Sequence, residues 1–248
     1  MQVQHAVARE AEAALDADPW VLPEQPIVGG CFVAFARGEA GPGRPGDRAW
    51  AAAVIWRADA RGGGGRRVDG HLRGARSDGR PRRADDVLAQ AVAAEPVPAA
   101  YEPGLLAMRE GRVLAAAVER LPQLPDVLLV DATGLDHPRR AGLALHLGAT
   151  AGVATVGVTQ RPLVASGALP SLQRGARAPV RVGGQAVGFW VCTRTGARPL
   201  VAHAGWRTTA ETAADVVLIA STEAARTPVP LQEARRVARE ARALAGAG

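Results

Sequence analysis

The sequence predicts an α/β fold in which a central mixed β-sheet carries helices on both faces. Two apolar segments near the start, at 27–35 and 50–57, have the pattern of hairpin strands. Between residues 105 and 158, short apolar strands alternate with amphipathic helices, which is typical of parallel β-α-β units. With 248 residues, 48% of them hydrophobic, the chain is long enough to bury the core of one such domain.

The first half of the chain begins with an amphipathic segment that predicts a helix at 2–17. The turn-rich stretch "RGEAGPGRPGD" separates the two hairpin strands. Residues 60–83 show no sustained period and are predicted to be mainly loop, followed by a short helix at about 84–94. A longer amphipathic helix at 105–121 precedes a wholly apolar, and therefore buried, strand at 126–130.

The second half continues this alternation and then adds antiparallel strands. A helix at 138–149 and a strand at 153–158 complete the β-α-β series. The pair Gly183-Gly184 predicts the turn of a hairpin, because both residues tolerate the positive φ that tight turns need. Another apolar strand is predicted at 199–203.

Two helices are predicted at the end of the chain. The sequence Thr-Thr-Ala-Glu at 208–211 has the form of a capping box, which starts a helix, and an arginine-rich helix follows at 231–245. No internal repeat is visible. We therefore expect one domain over 1–248, with a flexible Gly/Arg-rich insertion at 58–83 and a C-terminal helical extension at 226–248.

The positive charge is concentrated in one segment. All thirty basic residues are arginine, and between Arg57 and Arg83 nine arginines face three aspartates, a net of +6 that equals the charge of the whole chain. A protein that grips duplex DNA usually spreads its cations over a contact face, so this distribution does not predict such a surface. The absence of long apolar windows and the two well-separated cysteines, Cys31 and Cys192, predict a cytoplasmic protein with buried thiols and no membrane partner.

One segment, "LLVDATGLDHPRR" (128–140), places polar groups where a predicted strand ends. Asp131 follows the aliphatic run, and His137, Arg139 and Arg140 come close behind. Open α/β sheets bind ligands at the carboxyl ends of their strands, and a helix that starts near the two arginines would favour an anion. A site for a phosphate, a metal or both is expected here, and the alternative is a strand end with incidental charges.

These segments, in this order, resemble the endonuclease V family. The resemblance runs over about 27–219 and implies a ribonuclease-H-like fold with magnesium-dependent cleavage of nucleic acid near deoxyinosine. Two carboxylates of the family's metal site correspond to Glu110 and Asp131. The motifs that carry the resemblance are "YEPGLLAMREG" (101–111), "DVLLVDATGLDHPRRAGLALHLG" (126–148), "VATVGV" (153–158) and "AVGFWVCTRTGARPLVAHAGWRTTAETA" (186–213).

Three positions depart from the family's pattern. Phe32 stands where the family has a metal-binding aspartate, Gln160 where it has a lysine, and Trp206 where it has a histidine, whereas Arg207 is retained. Magnesium prefers carboxylate and phosphate oxygens, so we expect the loss of one ligand, one cation and one proton-transfer group to suppress phosphodiester hydrolysis. The resemblance with these changes implies a degraded active site.

The remaining polar groups define the expected site. Glu110, Asp131 and His137 are predicted to perform acid–base chemistry, because burial and a neighbouring carboxylate raise one carboxyl pKa. No cofactor and no metal are expected beyond a residual weak site at the two acids, which are otherwise remnants held by hydrogen bonds. The candidate substrate-binding residues are Phe32, Tyr101, Arg139, Gln160, His203, Trp206 and Arg207, of which Phe32 and Trp206 are expected to form an aromatic wall.

The sequence leaves three functions open. The first, which the substitutions favour, is a metal-independent enzyme or subunit that acts on a small anionic metabolite in bacterial specialised metabolism. The second is an endonuclease V that cleaves inosine-containing DNA or RNA with Mg²⁺ or Mn²⁺, with phosphate contacts from the arginine-rich loop. The third is a non-catalytic subunit that binds a partner protein or a second copy of itself. Nucleic acid is thus disfavoured as the partner.

Overall fold

The computed structural model describes residues 2–36, 43–57 and 87–246, which fold around one eight-stranded sheet. The strand order is β3-β2-β1-β4-β5-β8-β7-β6; β1, β4 and β5 run parallel, and the other neighbours pair antiparallel. The predicted mixed α/β sheet is therefore confirmed. In chain order the elements are α1 (Gln2–Ala17), β1 (Ile27–Phe35), β2 (Arg48–Arg57), β3 (Val87–Pro96), α2 (Leu106–Glu119), β4 (Val127–Val130), α3 (Leu143–Ala151), β5 (Ala154–Thr159), β6 (Arg177–Val182), β7 (Gln185–Val191), β8 (Leu200–Ala204), α4 (Ala210–Ile219) and α5 (Val229–Ala245).

Helices cover both faces of the sheet, because successive side chains of a strand point to opposite sides. Along β1, Cys31 and Val33 pack in the cluster that contains α2 and α3. Val28 and Ala34 point the other way, into the clusters formed with α4 and α5. The α1 helix packs on α3 at the outer side of the first layer. Within the described ranges, no helix is long and apolar enough to cross a membrane.

The α5 helix lies unusually close to β1 at Gly30. A Cβ atom at Gly30 would stand 2.4 Å from the backbone carbonyl of Pro230, so only glycine permits this approach. Phe32 lies two residues farther along β1 and therefore points to the same face. The close approach brings the arginines of α5 over the Phe32 ring.

One predicted helix is a strand. Residues 84–94 were expected to be helical because they are rich in alanine, but those from Val87 onward form β3 and pair antiparallel with β2 as far as Pro96. Helix propensity is a weak local preference, and a strand that can complete a sheet overrides it. The predicted Gly/Arg-rich insertion at 58–83 lies outside the described residues.

Two helix starts also differ from the prediction. The α3 helix begins at Leu143 and not at 138, since Arg140 has a left-handed φ of 54° and Gly142 is the extended N-cap. Arg139 and Arg140 are therefore not at a helix N-terminus, so the predicted helix start at 138 is wrong and no helix dipole supports the anion site expected there. The N-cap of α4 is Thr209, whose side chain accepts from the Thr212 backbone N–H, one residue later than the predicted capping box.

Candidate functional site

The structure brings Glu110 and Asp131 together in one pocket, which we call the carboxylate pocket. Glu110 comes from α2, and Asp131 directly follows β4. Burial raises the pKa of Glu110 to about 7; Arg109 opposes this shift and the negative charge of Asp131 adds to it. The pocket has a volume of about 250 Å³, and it is lined by Cys31, Phe32, Val33, Phe35, Leu106, Glu110, Leu114, Val130, Asp131 and Leu143.

An arginine of α5 contacts one of the two acids of the carboxylate pocket. Arg235 donates from Nη2 to Oδ2 of Asp131 at 2.9 Å, and its guanidinium lies 5.0 Å from the centre of the Phe32 ring. Arg239 stacks over the same ring at 5.9 Å. The sequence predicted only an arginine-rich helix here. The residues around Arg235 do not indicate which acid it pairs with.

A second pocket, which we call the loop pocket, shares Asp131 with the first. Its volume is about 220 Å³ and its lining is mostly apolar. Tyr101, which is exposed, stands at its edge, and the turn after β4 forms one wall. The lining residues are Gln4, Tyr101, Gly104, Leu106, Ala107, Asp131, Ala132, Thr133, His137, Ala141, Gly142, Leu143, Thr159 and Leu163.

His137 is buried in the wall of the loop pocket, and both of its ring nitrogens contact backbone groups. Nδ1 accepts from the backbone N–H groups of Arg139 (3.2 Å) and Ala141 (3.4 Å), so the proton lies on Nε2, which donates to the Gly104 carbonyl at 3.1 Å. Burial lowers the pKa of His137, and the hydrogen bond to the Gly104 carbonyl opposes this shift. The geometry therefore makes His137 a residue that fixes the 101–105 loop.

Gln4 of α1 fixes the same loop from the opposite side. Its Nε2 donates to the Gly104 carbonyl at 2.6 Å, and its Oε1 accepts from Nη1 of Arg139 at 2.9 Å. Gln4 is buried although its helix is largely exposed. The sequence offered one signal for this contact, a glutamine on the buried side of an amphipathic helix. It gave no indication of which residue this glutamine contacts.

Two of the predicted residues lie around β5. Gln160 is exposed just after the strand and lines neither pocket. His203 on β8 is fully buried, with Nε2 2.7 Å from Oγ1 of Thr159 and Nδ1 3.6 Å from Oδ2 of Asp136. Burial lowers the pKa of His203 and Asp136 opposes this shift. His203 thus contacts the loop pocket only through Thr159, which lines it.

The structure does not bring Trp206 and Arg207 to either pocket. Trp206 packs with the cluster that contains Leu145, whereas Phe32 packs under α5, so the expected aromatic wall is not formed. Arg207 pairs with Asp18 and holds the segment after α1. Because these contacts join residues far apart in sequence, the local pattern did not reveal them.

Within the described residues, no three side chains of His, Cys, Asp or Glu cluster tightly enough to hold a metal ion. The carboxylate pocket instead offers two oxygen ligands, Glu110 and Asp131. Magnesium is often bound by one or two carboxylates together with substrate phosphates and water. The pair is therefore a candidate site for a hard divalent cation whose ligands are completed by a phosphate.

Comparison with known proteins gives the family. The endonuclease V family model matches residues 82–236. A protein of Streptomyces avermitilis named Endonuclease V is 41% identical over 122 residues, which are 49% of this chain and 53% of that protein, so the match spans about half of this relative's length. A protein of the same name from Xanthomonas axonopodis pv. citri is 33% identical over 174 residues, covering 66% of this chain and 73% of that protein.

A crystal structure of the Streptomyces avermitilis Endonuclease V superposes with a TM-score of 0.77 and 30% identity, covering 99% of this chain and 94% of the other. This likeness confirms the ribonuclease-H-like fold. The expectation that the chain has lost nuclease chemistry and acts on a small anionic metabolite is contradicted, because relatives 33–41% identical are named Endonuclease V. The chain belongs to the endonuclease V family.

Proposed function

We propose that the protein is an endonuclease that cleaves inosine-containing nucleic acid with a divalent cation at Glu110 and Asp131. The observation that carries this proposal is the meeting of these two acids, one from α2 and one at the end of β4, in a single pocket. The family of the chain supplies the reaction class. The loop pocket, which shares Asp131, supplies a place for a base beside the cleaved phosphate.

The two acids fit a divalent cation. Burial raises the pKa of Glu110, Arg109 opposes this shift and Asp131 adds to it, and a bound cation would favour the charged form of this carboxylate. Asp131 already pairs with one positive group, Arg235. When bound, the cation supplies Lewis-acid activation of water and stabilises the charge that develops on the phosphate.

The other residues of the chain hold and orient the substrate. The mostly apolar loop pocket excludes water from a base, and Tyr101 at its edge offers a ring for stacking. His137 and Gln4 keep the 101–105 loop in place through the Gly104 carbonyl. We assign His137 this positioning role, because both of its ring nitrogens are used within the protein.

We further propose that the metal site is a reduced form of the family's site. Phe32 stands in the carboxylate pocket where the family resemblance implies a metal-binding aspartate, and Gln160 stands where it implies a lysine. Fewer negative ligands attract a cation less strongly. The protein is therefore expected to need higher concentrations of Mg²⁺ or Mn²⁺ than a member with three carboxylates.

The test is cleavage of a labelled strand that contains one inosine, with a matched strand that contains adenosine in its place. The protein should cut only the inosine strand, in the presence of Mg²⁺ or Mn²⁺. Asp131→Ala and Glu110→Gln should each reduce the rate by about 10²-fold or more. Glu119→Gln, an exposed acid on the same α2 helix, serves as the control and should cleave normally. No cleavage with either metal would overturn the proposal.

A further inference from the structure

We infer that Arg235 couples the binding of a nucleic-acid strand to the binding of the divalent cation. Without a strand, Arg235 pairs with Asp131; with a strand bound, it pairs with a backbone phosphate and leaves Asp131 to the metal. This inference rests on the proposed function, since it concerns the same cation site, but it is tested by binding and not by turnover.

The ion pair between Arg235 and Asp131 is weak enough to be broken when a ligand binds. The two groups are 2.9 Å apart, but their side chains are 31% and 35% exposed, so water weakens the attraction. The Nε of Arg235 is buried and, among the described residues, has no acceptor. A phosphate binds a guanidinium through two parallel hydrogen bonds and would supply an acceptor for this N–H group as well.

A groove that suits a phosphate backbone adjoins this contact; we call it the arginine groove. It has a volume of about 520 Å³ and is lined by Thr227, Gln232, Arg235, Arg236, Arg239, Glu240 and Arg242. Arg236 is neutralised by Glu233 and Glu240, whereas Arg239 has no ion pair with a carboxylate of the described residues and lies only over Phe32. The groove is therefore positive next to the carboxylate pocket, as a polyanionic strand requires.

The metal and Arg235 compete for the same carboxylate. Two positive charges that both contact Asp131 repel each other, so a cation can bind well only when the guanidinium has moved away. A strand in the arginine groove favours that movement because it offers a second anion. By linkage, the strand must raise metal affinity by the same factor by which the metal raises strand affinity.

The test is Mn²⁺ binding measured by the electron paramagnetic resonance signal of free Mn²⁺. The unmodified protein, Arg235→Gln and Arg177→Gln are each titrated, alone and with an inosine strand made resistant by phosphorothioate linkages. Arg235→Gln should bind Mn²⁺ roughly three- to ten-fold more tightly without a strand and gain little from adding one. Arg177→Gln breaks a similarly exposed ion pair, with Asp215, and Arg177 lines neither the two pockets nor the groove, so this variant should behave as the unmodified protein does.

A further variant distinguishes the loss of the positive charge from a structural effect of the substitution. Arg235→Lys keeps the positive charge and should keep the coupling. If Mn²⁺ affinity rises in Arg235→Gln but not in Arg235→Lys, the effect comes from the positive charge next to Asp131. Equal Mn²⁺ affinity in the unmodified protein and Arg235→Gln would overturn the inference, as would no Mn²⁺ binding in any variant. Coupling in the binding assay without cleavage of the unprotected inosine strand would instead overturn the proposed function alone.

Discussion

Gln4 and His137 donate to the same acceptor, the carbonyl oxygen of Gly104, at 2.6 and 3.1 Å. One comes from the first helix and the other from the turn after β4, so the loop that carries Tyr101 is held from two sides. A carbonyl oxygen has two lone pairs, and here both have donors within the protein. The edge of the loop pocket is thereby fixed before any ligand binds.

Replacing Gln4 should loosen this edge. Gln4→Leu removes the donor to Gly104 and the acceptor for Arg139, so we expect a loss of about 1–3 kcal/mol in the free energy of unfolding. The KM for an inosine strand should rise several-fold with a smaller change in kcat, because the loop positions the substrate. Gln2→Leu, an exposed site on the same helix, is the control. Equal KM values for the two variants would contradict the positioning role.

Phe32→Asp should restore a third carboxylate to the carboxylate pocket. We expect Mn²⁺ to bind more tightly and cleavage at low metal concentration to rise on the order of ten-fold, because a hard cation gains a negative ligand. Isothermal titration with Mn²⁺ and single-turnover cleavage measure the two effects. Phe32→Leu keeps the position apolar and should show neither gain. If both substitutions reduce metal binding alike, the metal does not approach Phe32.

Asp136 is a structural anchor that the sequence did not reveal. Its fully buried carboxylate accepts from the backbone N–H groups of Leu163, Val164 and Ala165 at 2.7–2.8 Å. Asp136→Asn should lower the free energy of unfolding in urea by about 2–3 kcal/mol, since one acceptor oxygen becomes a donor facing another donor. Amide exchange at 163–165 should accelerate.

The control for this prediction is an exposed acid. Asp215 pairs with Arg177 at 2.8 Å, but both side chains are nearly half exposed. Asp215→Asn should therefore change stability by no more than about 1 kcal/mol. Similar losses for the two variants would mean that burial of Asp136 adds nothing to its contribution.

His203 should make the protein sensitive to acid. Burial lowers its pKa in the folded state, whereas the unfolded chain keeps the ordinary value of 6.5. Below pH 6.5 the unfolded chain binds the proton first, so stability falls as the pH decreases towards the lowered folded pKa. We expect a loss of up to about 2 kcal/mol between pH 7 and pH 5 in urea unfolding.

His203→Gln isolates this effect. Glutamine can still donate to Oγ1 of Thr159, but it does not titrate. The variant should lose much of the slope of stability against pH in this range, whatever its absolute stability. An unchanged slope would show that other groups cause the acid sensitivity.

The elements that the sequence predicted well are those whose pattern is local. The α1 and α5 helices have apolar residues at helical spacing, and the β1 and β4 strands are short continuous apolar runs. The structure confirms all four within a few residues. The β3 strand was missed because its alanines favour a helix, and only pairing with β2 decides otherwise. The start of α3 was misplaced because the backbone around His137 and Arg140 turns before the helix begins.

Part of the candidate site could be predicted because it too lies in local sequence motifs. Glu110 and Asp131 stand in recognisable motifs, and the structure places them in one pocket. Gln4 and Arg235 were not predicted, because each acts on a residue about a hundred positions away. Trp206 was expected to form an aromatic wall with Phe32 at the substrate site, but its side chain packs on α3 beside Gly148.

The position of α5 has a consequence for synthesis of the chain. Arg235 reaches Asp131 across 104 residues, and α5 covers the apolar face that β1 and β2 present early in translation. Until α5 has emerged from the ribosome, the nascent sheet exposes that face to solvent and to chaperones. A premature stop before residue 229 would leave the same surface uncovered and make the truncated product prone to aggregate.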